Sequence, residues 1–350
     1  MSKPLVLTCD IGTQSARALL VDPDGRIVDV VQSKYAEPYF SKEPGWAEQK
    51  PDFYFDRMCE CCRELCARSN ALLPDVIAMT ITVIRDTVVC LDENNNPLRD
   101  IILWLDKRSV DPNGAMPAKN MMVFAGMEPT AKVVYAASAG NWIMRHEPEI
   151  WARTAKYVML PTYLNYKLTG NLIDSASNQI GHIPFDYKNR RWMKPGSLTR
   201  CFCDVPNEKL CDLVPSGTVI GTVTEEVSAL TGIPAGLPLI STGSDKGCET
   251  LGLAVVDSDK ASISLGTTAT IQFSTTQYVE PQQFLPAYPG VLNDHYNPEI
   301  EIYRGLWLLS WFVKEFGTAD AIDAKEMGMA PEALLDQRIR DLPAGSDGLL

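Results

Sequence analysis

The stretch Cys9-Asp10-Ile11-Gly12-Thr13-Gln14-Ser15-Ala16-Arg17 decides how this chain is read. An apolar run, Leu5 to Leu7, leads into it and a second, Ala18 to Val21, leads out. Asp22-Pro23-Asp24-Gly25 then supplies a turn before a third extended run, Arg26 to Val31. The pattern predicts a three-strand meander whose first turn is polar. Such a turn suits phosphate. Gly12 lets backbone N–H groups approach oxygens, Thr13, Gln14 and Ser15 add side-chain donors, and Arg17 can neutralise charge. Asp10 suits a magnesium ion held through water. The competing reading is an ordinary hairpin with a polar tip, and the stretch alone does not separate the two.

The 350 residues make room for roughly two domains. A net charge of −12 argues against a general attraction for nucleic acid or anionic membranes. An anionic ligand must therefore be held by local groups. No apolar run approaches the ~18–20 residues of a membrane span. The N-terminus lacks a charged segment followed by a long apolar one, so a cytoplasmic protein is expected. The ten cysteines fit a reducing compartment better than a disulfide framework. Cys59, Cys61, Cys62 and Cys66 invite a metal or redox reading. On a helix over 52–69, however, Phe55, Met58, Cys59, Cys62, Leu65 and Cys66 form one apolar stripe, and the usual paired metal-ligand spacings are missing.

Further along, residues 41–51 read as a loop, with Asp52 as a helix N-cap or early N-terminal charge. Strands are expected over 76–82 and 86–92, and again at Ile101 to Leu105 before the charged loop Asp106-Lys107-Arg108. Residues 115 to about 170 look helical, with segments near 134–146 and 161–168, stopped by Gly170. An irregular segment spans 181–216 and a short helix 222–231. The strand Leu237 to Ser241 is followed by Gly243-Ser244-Asp245 and a helix through Leu251. A strand from Ala261 to Leu265, the turn Gly266-Thr267-Thr268 and another strand to Phe273 close the series. Alternating strands and helices indicate an α/β architecture. Two Gly-Thr turns between apolar strands, at 12–13 and 266–267, suggest two similar halves facing one nucleotide across a cleft.

With both turns in hand, the chain resembles the FGGY family of carbohydrate kinases, part of the actin-like ATPase superfamily. The resemblance runs over essentially the whole chain. It is carried by Asp10-Ile11-Gly12-Thr13, Pro44-Gly45-Trp46-Ala47-Glu48-Gln49, Trp104-Leu105-Asp106-Lys107-Arg108, Leu168-Thr169-Gly170, Ser175-Ala176-Ser177, Gly243-Ser244-Asp245, Leu265-Gly266-Thr267-Thr268 and Leu342 to Leu350. It implies an actin-like (ribonuclease H-like) ATPase fold with two domains and a cleft between them. Residues 1–253 would form the sugar-binding domain, and 254–350 the start of a nucleotide-binding domain whose end is missing. It also implies ATP and Mg2+ as cofactors. Asp245 would be the general base, Asp10 the metal residue, and Gly12, Thr13, Gln14, Arg17, Gly266 and Thr267 the phosphate-binding set. Many relatives carry Thr where this chain has Gln14.

For the acceptor, xylulokinase-like members usually show a Gln-x-His string that this chain lacks. Its Arg85-Asp86-Thr87 looks more like the Arg-Glu-Thr of glycerol kinases. Arg85, Asp86, Trp104 and Asp245 are thus the expected substrate-binding residues of a kinase acting on a ketopentose or a glycerol-type polyol. Arg85-Asp86 could equally be a surface ion pair, Trp104 a core residue and Asp245 a helix N-cap. Tyr135 lies out of register and is not assigned. His146, His182 and His295 have no catalytic context in the sequence. The rival to a kinase is a catalytically incomplete sugar-binding or regulatory protein on the same fold. The Trp46 loop, the Trp104-to-Arg108 loop and the placement of Asp245 argue against an actin-like or chaperone-like ATPase, which shares the Gly-Thr hairpins. The expected partner is a small sugar or polyol, and homo-oligomers are common in the family.

Overall fold

The computed structural model describes residues 3–113, 128–266, 268–282, 285–302, 305–343, 345 and 348. The opening meander is present as β1 (Leu5–Ile11), β2 (Ser15–Val21) and β3 (Ile27–Lys34). Then come α1 (Phe53–Arg68), β4 (Val76–Val83), β5 (Val88–Leu91), β6 (Lys156–Met159), α2 (Leu160–Thr169), β7 (Val219–Thr222), β8 (Pro238–Ile240) and α3 (Asp245–Gly252). A last sheet holds β9 (Ser262–Leu265), β10 (Ala269–Gln272) and β11 (Glu299–Ile302).

The main sheet has the order β7-β8-β4-β1-β2-β3, with β4 parallel to both β1 and β8 and the rest antiparallel. Strict alternation in β1 buries Leu5, Leu7, Cys9 and Ile11 on one face. Against this core packs α1, with Phe55, Met58, Leu65 and all four of its cysteines buried. Full burial of each such large apolar side chain stabilises by about 1.5–3 kcal/mol. The Cys62 and Cys9 sulfurs lie 3.4 Å apart, and burial pushes the Cys59 and Cys66 thiols up to about 12. Among the described residues no group of three His, Cys, Asp or Glu is placed to hold a metal, so these cysteines pack as small apolar residues.

Asp52 stands at the N-cap position of α1, as expected, without a side-chain capping bond; its carboxylate accepts from the Tyr163 hydroxyl at 2.8 Å and from Lys167 Nζ at 3.1 Å. One expectation is corrected. The helical stretch expected up to 170 is interrupted by β6, which pairs antiparallel with β5 in a second sheet completed by Glu48–Gln49 and Ile101–Ile102. Helices do occupy Glu128–Ala137, Ala139–His146, Pro148–Arg153 and α2, and Gly170 ends α2 at φ +81°. The part of that expectation at 115–127 lies outside the described residues.

The Trp46 and Trp104-to-Arg108 loops are clasped together. Ala47 N–H donates to Asp106 and Lys107 N–H to Gly45 O. The Arg108 guanidinium lies 3.9 Å from the Trp46 ring centroid and pairs with both Asp106 and the buried Glu48. The last sheet is built the other way round. Its inward positions are Ser262, Thr270, Gln272 and Glu299, while Ile263, Leu265, Ile271, Ile300 and Ile302 are 43 to 65 % exposed. Among the described residues no helix is long and apolar enough to cross a membrane.

Candidate active site

The C-terminal ends of β1, β4 and β8 and the inward face of the last sheet border a cleft of about 980 Å³. Six of the expected site residues line it: Thr13, Arg85, Asp86, Trp104, Asp245 and Gly266. Asp10, Gly12, Gln14 and Arg17 are not among the lining residues, and Thr267 lies outside the described residues.

Asp245 is the first residue of α3. The capping role falls to Ser244, whose side chain accepts from Gly247 N–H. The turn needs glycine at 243, because a Cβ there would sit 2.7 Å from a Val291 methyl. The Asp245 carboxylate accepts from the Lys246 N–H at 2.9 Å and faces Arg85, with Nε 3.9 Å from Oδ1. Burial pushes its pKa up, Arg85 and Lys246 oppose the rise and Asp10 adds to it; the net shift is upward.

Arg85 follows β4 and is clamped from behind by Glu299 of β11, with Nη1 to Oε2 at 3.0 Å and Nη2 to Oε1 at 2.7 Å. Burial lowers the guanidinium pKa but Glu299 and Asp245 raise it further, so Arg85 stays charged. Asp86 adopts φ +46°, rare for a non-glycine residue. Its carboxylate accepts from His182 N–H at 3.0 Å and pairs with His182 Nδ1 at 2.8 Å. Burial lowers the His182 pKa, but the Asp86 charge and hydrogen bond outweigh it and the net shift is upward. Trp104 is half-buried; its indole N–H donates to the Thr13 hydroxyl at 3.0 Å. The sequence reading missed Glu299 and His182. The signal for His182 was the adjacent Gly181, and that for Glu299 the alternation Glu299-Ile300-Glu301-Ile302, which puts two carboxylates on one strand face.

At the first Gly-Thr turn the Gly12 N–H closes the hairpin on Ser15 O at 3.0 Å, so it shapes the turn instead of pointing at a ligand. Register places Asp10 opposite Arg17, and the two pair at 2.7 Å. The second turn matches: β9 and β10 form a hairpin, with Gly266 N–H donating to Thr268 O at 2.9 Å. Of the other histidines, His146 stacks on Trp142 and His295 pairs with Asp294.

Residues 5–252 match the N-terminal domain of the FGGY family of carbohydrate kinases. The chain belongs to that family. It is 26 % identical over 351 residues to an "uncharacterized sugar kinase" of Escherichia coli (strain K12), covering 100 % of this chain and 64 % of the relative. It is 23 % identical to the xylulose kinase of Bacillus subtilis (strain 168), covering 99 % and 66 %, and 26 % identical to the autoinducer-2 kinase of Enterobacter sp. (strain 638), covering 99 % and 65 %. This FGGY chain thus spans about two thirds of the length of those curated relatives. Among solved structures, the gluconate kinase of Lactobacillus acidophilus superposes with TM-score 0.79 at 22 % identity, over 100 % of this chain and 68 % of that one. The glycerol kinase of Plasmodium falciparum, solved with ADP, superposes at 0.68 and 18 %, over 92 % and 67 %. These likenesses show the fold: α/β, of the actin-like ATPase kind.

Proposed function

We propose that this FGGY chain carries the acceptor site and general base of an ATP-dependent kinase acting on a hydroxyl of a small sugar or polyol. The observation that carries the reading is Asp245, raised in pKa and facing Arg85, in one cleft with Arg85, Asp86, Trp104, Thr13 and Gly266. On this reading residues 1–253 form the sugar-binding domain and 254–350 begin the nucleotide-binding one.

Asp245 accepts the acceptor hydroxyl proton as that oxygen attacks the γ-phosphorus. The bond from γ-phosphorus to the β–γ bridging oxygen breaks, and ADP leaves with that oxygen. Trp104 offers an apolar face to the carbon side of the sugar, and Asp86, fixed by His182, accepts from its hydroxyls. Thr13 and Gln14 at one turn and Thr267 at the other are the donors proposed for the phosphates, with Gly12 and Gly266, whose N–H groups close their own hairpins, holding the two turns in shape. Mg2+ supplies charge neutralisation when bound. Asp10 fits its water-mediated chemistry, since it lies close enough to Asp245 for its charge to raise that carboxylate, and Arg17 balances it from the facing strand.

The test is ADP release from Mg-ATP with glycerol, erythritol, xylitol, ribitol, ribulose and xylulose. One compound stimulates turnover, and Asp245→Asn abolishes it while leaving acceptor binding intact. Near-full turnover by the variant would remove Asp245 from the role of base. A second reading, a sugar-binding or regulatory protein that does not turn over, is favoured by the bare apolar face of Ile263, Leu265, Ile271, Ile300 and Ile302. Sugar binding without detectable ATP binding would select it.

A further inference from the structure

We propose that Glu299 is a specificity-determining residue: by neutralising Arg85 from behind, it makes the acceptor site select uncharged polyols or ketoses and reject sugar acids. The inference rests on the acceptor site being where the preceding reading puts it.

Arg85 is the cation nearest the proposed base, and in isolation it would form a ready bidentate site for a carboxylate. Here that edge is already taken. Both Nη atoms are bound by the two Glu299 oxygens, and Nε is turned to Asp245. Glu299 does not line the cleft; it stands behind the guanidinium with its side chain 5 % exposed. It is held in turn. Register pairs it with Gln272, whose Nε2 donates to Oε2, and Gln272 Oε1 accepts from the Thr250 hydroxyl at 2.5 Å. A carboxylate arriving at Arg85 would have to displace a buried, doubly bonded and supported one.

The other recessed basic groups of the cleft are spoken for in the same way. His182 pairs with Asp86, Lys246 with Glu249, and Arg108 with Asp106 and Glu48. Lys107 and Lys188 are on the exposed rim. Asp245 and Glu301 add carboxylates to the lining, with no further recessed cation among the described lining residues to balance them. A neutral acceptor meets donors and acceptors here without repulsion; an aldonate carboxylate meets negative charge in a partly desolvated cleft.

The test measures dissociation constants by calorimetry for matched pairs: xylitol against xylonate, ribitol against ribonate, glucitol against gluconate. The wild-type chain is expected to bind at least one neutral compound about tenfold or more tighter than its acid partner, the size of one charge-assisted bond gained or lost. Glu299→Gln frees the guanidinium and should move the acid-to-neutral ratio by about tenfold or more toward the acid. Glu299→Asp, which restores the charge, should return the ratio toward the wild-type value. If Glu299→Gln fails to fold, the paired change Arg85→Met with Glu299→Met removes both charges and should keep the acid rejected, since no cation is freed. Tighter wild-type binding of an acid, or an unchanged ratio in folded Glu299→Gln, overturns the inference and leaves the kinase reading standing. Binding of no compound of either kind overturns the acceptor site itself, and the inference with it.

Discussion

Gly181→Ala tests how the acceptor wall is assembled. At φ +150°, Gly181 presses against Asp86 so closely that a Cβ would lie 2.3 Å from Asp86 Oδ1, 2.8 Å from its Cγ and 2.9 Å from the Met159 terminal methyl. The methionine methyl is flexible and can swing aside. The carboxylate cannot, because His182 holds it through two bonds and Asp86 is itself in a left-handed conformation. The backbone share of the penalty is about 1–3 kcal/mol. Breaking the Asp86–His182 bonds adds about 1.5–3 kcal/mol. A total loss of about 2.5–6 kcal/mol in urea unfolding is therefore expected, together with weaker acceptor binding. The two shares separate in a double-mutant cycle. With Asp86→Ala in place there is no carboxylate to strike, so adding Gly181→Ala should cost only the backbone share of about 1–3 kcal/mol. An equal penalty in both backgrounds, or a loss below about 0.5 kcal/mol in the wild type, would refute this account of the contact.

Arg108→Met should destabilise by about 3–5 kcal/mol, because Glu48 and Asp106 lose a buried partner; unfolding that stays unchanged would mean the Trp46 clasp does not depend on charge. Asp29 is held down to about 2, from an ordinary 3.8, by Arg68 first and then Ser69. A depressed carboxylate contributes stability above its unfolded value and loses it as pH falls through its folded value. The wild type should therefore lose stability relative to Asp29→Asn as pH drops from 3.8 toward about 2. The exposed Arg68 end limits the effect to about 1 kcal/mol or less. Parallel melting temperatures across that window would contradict it.

What could be read from sequence was what local rules govern. The β1–β3 meander follows from period-two alternation and from a turn whose Gly25 sits at φ +78°, and all three strands pair in the order expected. The same holds for α3: Gly243 and Ser244 before Asp245 spell a tight strand-to-helix turn, and the structure resolves the remaining ambiguity by giving the cap to Ser244. β6 was hidden because Lys-Tyr-Val-Met is too short to show a period, and its strand character comes from pairing with β5 some 65 residues earlier. Glu299 was hidden for a stronger version of that reason. It stands 214 residues from Arg85 and reaches it only because the register of β10 with β11 turns the polar positions of that sheet inward. That inversion also explains why the apolar positions of the sheet face outward. A strand can bury only one face toward the cleft, and here that face carries Gln272, Glu299 and Glu301, so Ile263, Ile271 and Ile300 must look the other way. The cost of leaving those isoleucines bare and the charge pattern at Arg85 are therefore two consequences of one register. A one-residue slip would relieve the first and destroy the second.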